Sequence, residues 1–159
     1  MTSSNEQEGP AKALDQMLFF KDLAPDQIAY LAECSARVRF ETGQYLCREG
    51  ESADHFYIVQ HGLVTLELTK GDEGDFAFQS LQAGDILGWS WLVPPYQWRF
   101  NARAIEDTQV IAMDGRSLRA KCDENHELGY QLLGRLVQVM TQRLETTRHQ
   151  LIANTRVQM

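Results

Sequence analysis

Between Val38 and Met113 the apolar residues recur at every second position, in short runs that end at glycine. Val38 and Phe40 alternate with polar neighbours, Gly43 and Gly50 interrupt, and Phe56-Tyr57-Ile58-Val59 forms an apolar run before Gly62. Val64, Leu66 and Leu68 alternate with Thr65, Glu67 and Thr69, and residues 70–74 read as a hairpin turn before Phe76 and Phe78. Ala102 to Met113 supplies another strand pair around Glu106-Asp107. Successive side chains on a strand point to opposite faces, so a period of two marks strands with one wet face. Short strands punctuated by glycine close into a barrel or jelly roll.

On both sides of this region the period is helical. Leu14, Met17 and Leu18 fit one short helix, and Phe19-Phe20 follows. Pro25 suits the first position of a second helix, with Asp26 favourable at its positive end and Ile28, Leu31 and Ala32 on one face. After Asp114 a short helix is expected from about Ser117 to Cys122, and a long one from about Glu127 to Ala153. Tyr130, Leu133, Val137, Met140, Leu144, Thr147 and Leu151 step by three and four along it, as a heptad seam does. Leu132, Leu136 and Val139 form a second stripe. Two readings stay open: one broad core-facing stripe, or one stripe on the barrel and a seam on a twin helix, making a homodimer. Gly134 weakens this helix by about 1 kcal/mol relative to alanine, and allows close packing.

The expected fold class is therefore mainly β with flanking helices: a jelly-roll β-barrel (double-stranded β-helix) with short N-terminal helices and a long C-terminal helix. Residues 1–12 read as a disordered tail, 13–126 as the roll with its N-terminal helices, 127–153 as the long helix and 154–159 as a tail. A chain of 159 residues can bury a core without metal or disulfide. Its net charge of −7 argues against sequence-independent attraction to nucleic acid or an anionic membrane. Three cysteines without CxxC spacing read as free thiols in a reducing compartment. With no apolar run of spanning length and no signal-peptide core, a cytoplasmic protein is expected.

Specific stretches carry a resemblance. Phe40-Glu41-Thr42-Gly43-Gln44-Tyr45-Leu46, Arg48-Glu49-Gly50-Glu51-Ser52-Ala53-Asp54 and Phe56-Tyr57-Ile58-Val59-Gln60-His61-Gly62 follow one another in order. Gly84-Asp85-Ile86-Leu87-Gly88 comes next, and Arg143-Leu144-Glu145-Thr146-Thr147 lies on the last helix. Together they resemble the cyclic-nucleotide-binding domain of the catabolite-activator and kinase regulatory-subunit superfamily. The resemblance implies a phosphate-binding cassette after Gly84, where a short helix aims backbone N–H groups at a cyclic phosphate. It also implies a glutamate on the ribose 2′-hydroxyl, an arginine on the phosphate and a base-contacting threonine at Thr147. The implied ligand is cAMP or cGMP, with no cofactor.

This chain departs from that pattern where the ligand would sit. Trp89 stands in place of the glutamate, and an indole offers only a donor, leaving Ser90 as the nearby substitute. Counting forward from Gly88 puts Arg99 in the pocket, whereas counting back from Ala102-Arg103-Ala104 puts Trp98 there. One residue of slip reverses the face, so both remain open. Pro94-Pro95 should end the cassette helix at Val93, and Tyr96, Trp98 and Phe100 should share a face. The candidate ligand-binding residues are Gly88, Trp89, Ser90, Arg99, Phe100, Asn101, Thr147 and Arg148.

Two functions follow as expectations. One is a non-enzymatic small-ligand sensor; the other is a dimeric protein-interaction subunit that no longer binds cyclic nucleotides, its pocket filled by aromatics, with an unknown protein partner. His55, His61, His126 and His149 offer no HxH pair for a metal-dependent jelly-roll enzyme, and no nucleophile–base constellation is present, so neither catalysis nor a metal is expected. About six residues follow Ala153, too few for a helix-turn-helix, so DNA binding by this chain is not expected.

Overall fold

The computed structural model describes residues 9–157, and side chains for 9–155. Helix α1 (Pro10–Asp15) and a single 3-10 turn (Leu18–Phe20) precede helix α2 (Pro25–Ala32). Eight strands follow: β1 (Ser35–Phe40), β2 (Tyr45–Cys47), β3 (His55–His61), β4 (Val64–Thr69), β5 (Asp75–Leu81), β6 (Ile86–Leu87), β7 (Asn101–Ala104) and β8 (Thr108–Asp114). They form two antiparallel four-stranded sheets, ordered β1-β8-β3-β6 and β2-β7-β4-β5, the mainly β roll anticipated from the period of two. Helices α3 (Gly115–Glu124) and α4 (His126–Val157) end the described chain. Two compact units result, one up to Lys121 and one from Cys122.

The run Phe56-Tyr57-Ile58-Val59 is apolar throughout because both faces of β3 are buried. Tyr57 and Val59 join the roll interior with Val64, Leu66, Leu81 and Leu87. Phe56 faces the other way, its ring 5.6 Å from Phe19 and 5.4 Å from Trp91. Gly62 illustrates why glycine punctuates the roll. Its φ is +106°, and a Cβ there would lie 2.5 Å from Thr108 Oγ1 and 2.7 Å from the Asp107 carbonyl oxygen.

The structure corrects three expectations. In β4 the strict alternation fails: Glu67 is 2% exposed and Leu68 is 39% exposed. The backbone phase itself is unbroken: Glu67 stays on the face of Thr65, beside Arg103 of β7, and the extra residue of the β4–β5 pairing, Phe78, lies on β5 rather than on β4. Helix α1 starts at Pro10, inside the segment expected as a tail, because proline fits the first turn of a helix without losing a hydrogen bond. Helix α4 runs on to Val157 rather than ending at 153, with no glycine or proline after Ala153 to stop it. The remainder of the two tail segments, residues 1–8 and 158–159, lies outside the described residues.

Helix α4 carries two distinct stripes. Leu128, Leu132 and Leu136 are buried, whereas Tyr130, Leu133, Val137, Met140, Leu144 and Leu151 are exposed. A Cβ at Gly134 would meet nothing within 4 Å. Gly134→Ala is therefore expected to stabilise the helix by up to about 1 kcal/mol, raising Tm by roughly 2–4 °C. A thermal melt that fell instead would show Gly134 pressed against a second chain.

Burial pushes the Cys47 thiol and the Tyr57 phenol up to about 12, from ordinary values of 9.0 and 10.0. Each group holds its proton more tightly folded than unfolded. Their contribution to stability is complete below about pH 9 and is lost as pH rises towards 12. Urea midpoints should decline over that alkaline window; a flat profile would contradict the burial of both groups.

Candidate functional site

Strand β6 ends at Leu87, just before Gly88, and the chain enters the other sheet at Asn101 as β7. The segment between them holds all three tryptophans and no regular helix. Two turns close there, with Leu92 N–H donating to the Trp89 carbonyl at 3.0 Å and Tyr96 N–H to the Val93 carbonyl at 2.9 Å, in place of the short cassette helix expected from the resemblance. The Pro94-Pro95 bond is cis, and Tyr96 takes a left-handed φ of +58°. This segment cannot propagate a helix, since both prolines lack the N–H that helix bonding needs.

Trp98 decides what the segment does. Its N–H donates to the Glu51 carbonyl at 2.9 Å, and its carbonyl accepts from Gly50 N–H at 2.8 Å. Backbone pairing on both sides fixes which face residue 98 presents, and the indole turns into the roll, where it is 4% exposed. It stacks on Tyr57 with centroids 6.3 Å apart and planes 16° apart, and meets Phe100 at 5.9 Å. Its six-membered ring also lies directly over Gly88. A Cβ at Gly88 would overlap Trp98 Cζ3 and sit 3.0 Å from Cη2, and the φ of +82° there disfavours any side chain.

The candidate residues now separate. Gly88 is buried beneath the indole, Ser90 is buried and Trp89 half-buried. Arg99, one residue on from Trp98, is exposed, which corrects its placement in the pocket. The physical reason is the alternation enforced by the pairing of Trp98 with Gly50 and Glu51. Phe100 is half-buried, edge-on to Phe78 at 6.2 Å. Asn101 is occupied by the frame: its Oδ1 accepts from Glu49 N–H at 2.8 Å and its Nδ2 donates to Thr69 Oγ1 at 3.2 Å. Thr147 and Arg148 lie in the second unit, exposed on α4, and the Thr147 hydroxyl donates to the Arg143 carbonyl at 2.9 Å. Tyr96 does not join the aromatic cluster; the Arg119 guanidinium lies 4.0 Å over its ring.

Two constellations escaped sequence reasoning. Arg119 of α3 also donates to the Trp91 carbonyl, so one side chain pins two points of the irregular segment. Its position on a helix gave no hint of this, because the segment it grips has no period. The other is Arg103, whose Nη2 and Nε approach Glu67 Oε1 at 2.8 and 3.1 Å. The two are not register partners, since Arg103 faces Thr65 and Glu67 faces Asn101, so the ion pair is a diagonal one that spacing along the chain does not reveal. Glu67 Oε2 is buried and has no hydrogen-bond partner among the described residues.

Residues 37–125 match the family model for the cyclic nucleotide-binding domain. The anaerobic regulatory protein of Bacillus subtilis is 25% identical over 112 residues, covering 70% of this chain and 47% of its own length. The cGMP-dependent protein kinase egl-4 of Caenorhabditis briggsae is 29% identical over 136 residues, covering 86% of this chain and 15% of the kinase. The chain thus spans less than half the length of these relatives. A solved structure from Geobacter metallireducens, ascribed to the cyclic nucleotide-binding proteins, superposes with a TM-score of 0.76 at 27% identity. It covers 86% of this chain and 98% of that one.

Proposed function

We propose that this chain, which belongs to the cyclic nucleotide-binding domain family, is a non-enzymatic sensor module whose phosphate cradle is closed by its own Trp98. The single observation that carries this is the indole lying over Gly88. Backbone N–H groups at a tight glycine turn attract an anion without needing particular side chains. Gly88, Trp89 and Ser90 supply that turn, and Ser90 supplies the hydroxyl for a ribose. Trp98 and Phe100 offer flat faces to a base once the indole has moved. The ligand, most simply cAMP or cGMP, thus competes with Trp98, and it shifts the module only through its different affinity for the closed and open states. Trp89 cannot accept a hydrogen bond, and Arg99 is turned outward, so cyclic nucleotide binding is weaker than an arginine-and-glutamate cassette would give.

Calorimetric titration with cAMP and cGMP tests this on the unmodified chain and on Trp98→Leu, which keeps the position apolar while removing the ring that covers Gly88. Binding should be at least roughly tenfold tighter in Trp98→Leu, a difference of about 1.4 kcal/mol. Equal affinity in both would sink the closed cradle. Absence of heat from both at millimolar nucleotide would sink the sensor.

A second reading rests on a separate observation, the exposed apolar seam of α4 from Tyr130 to Leu151. A helix with such a seam pairs with a twin, and a homodimeric interaction subunit needs no nucleotide. In that case sedimentation would show a dimer that Leu133→Glu and Leu144→Glu together dissociate, while no nucleotide bound. Among the described residues no helix is long and apolar enough to cross a membrane.

A further inference from the structure

We propose that Arg119 of α3 is the clasp of the Trp98 lid: a positioning residue that holds shut the segment carrying the indole. Resting on the closed cradle proposed above, the clasp explains what keeps Gly88 covered. The indole is almost fully buried, stacked on Tyr57 and set against Phe100, so turning in place would drive the ring into its neighbours. To uncover Gly88, the segment itself must peel off the roll. Three backbone bonds oppose that. The Trp98 backbone N–H donates to the Glu51 carbonyl at 2.9 Å, Gly50 N–H to the Trp98 carbonyl at 2.8 Å, and Ala53 N–H to the Tyr96 carbonyl at 2.7 Å.

Arg119 grips this segment on both sides of its proline pair. Its guanidinium lies 4.0 Å over the Tyr96 ring and donates to the Trp91 carbonyl. Its charge strengthens both contacts, one as a charge-assisted hydrogen bond and the other as an attraction to the ring face. Pro94 and Pro95 lie between, each with φ fixed by its own ring, so holding Trp91 and Tyr96 holds the loop. Trp91 is a firm anchor: its side chain is fully buried, its ring centred 5.4 Å from that of Phe56. One turn before Arg119, a Cβ on Gly115 would lie 3.0 Å from Trp91 Cβ, so one face of α3 meets the loop at two points. Among the described residues Arg119 makes no ion pair, so its charge is committed to the loop. Peeling residues 96–98 away pulls Tyr96 from under the guanidinium.

Hydrogen exchange of the full chain, without nucleotide, tests the clasp. In the unmodified protein the Gly50, Ala53 and Trp98 amides should exchange faster than those of Ile58 and Ile111, because the lid opens short of global unfolding. Arg119→Met keeps the apolar stem and removes the guanidinium, and it should quicken the three lid amides by roughly tenfold or more. Arg119→Lys, which leaves a cation for Tyr96, should quicken them less. If Arg119 merely supported the fold, Ile58 and Ile111 would quicken and the lid amides would not, and that result would overturn the proposal. So would equal exchange of both groups in the unmodified protein. The ring-current shift of Gly88 Hα in the same unmodified sample tells the two readings apart. A shielded Hα with unmoved lid amides rejects the clasp alone, and an unshielded one rejects the closed cradle.

Discussion

Gly88→Ala is expected to lose about 2–4 kcal/mol of stability, a fall in Tm on the order of 10 °C. Two effects combine. A side chain at a φ of +82° is strained by about 1–2 kcal/mol, and the new methyl group must displace the Trp98 ring, an overpacking of about 1–3 kcal/mol. Trp98→Ala alone should cost about 3–5 kcal/mol, because the indole is almost fully buried and packs on Tyr57 and Phe100. The informative variant is the double one. With the ring gone the methyl group has room, and only the backbone strain remains. The two losses should fall short of additivity by about 1–3 kcal/mol. Additive losses in urea unfolding would mean the indole does not rest on Gly88.

Arg103→Ala should destabilise by about 2–3 kcal/mol, for a different reason. Glu67 is buried, with one oxygen paired to Arg103 and the other without a hydrogen-bond partner. Removing the arginine leaves a carboxylate out of water and uncompensated, a loss of about 3–5 kcal/mol for a fully buried pair. The Arg103 side chain is 41% exposed, so solvent screening reduces the figure. Replacing both residues, as Glu67→Leu with Arg103→Met, should recover most of the stability, because an apolar pair needs no partner. If Arg103→Ala melted within 0.5 kcal/mol of the unmodified chain, about the limit for a neutral surface change, the pair would be an ordinary solvated one.

How far the sequence announces this molecule depends on how local each feature is. The strands, the hairpin at Lys70 to Gly74 and the start of α2 at Pro25 rest on spacing over a few residues, and the structure has them there. Positive φ at Gly43, Gly50 and Gly62 follows from the same local logic. The burial of Glu67 does not, because it depends on Arg103, 36 positions further on in β7, which only the closed sheet brings beside it. Trp98 and Arg99 show the same limit at the site. Two ways of counting along the chain disagreed by one residue, and the arbiter was a pair of backbone hydrogen bonds to Gly50 and Glu51, nearly fifty positions away. Asn101 looked like part of a ligand pocket because it neighbours one. Its amide belongs to Glu49 and Thr69, contacts that only the closed roll creates.

The contact between Gly88 and Trp98 can be observed without nucleotide or mutation. In the unmodified chain, a cross-relaxation signal between a Gly88 Hα and Trp98 Hζ3, with that Hα shielded by the ring current, is the predicted result. If neither appears, and Gly88 shows the shifts of a glycine open to water while the Arg99 side chain shows contacts inside the roll, the cradle is open and the closed-sensor account is contradicted.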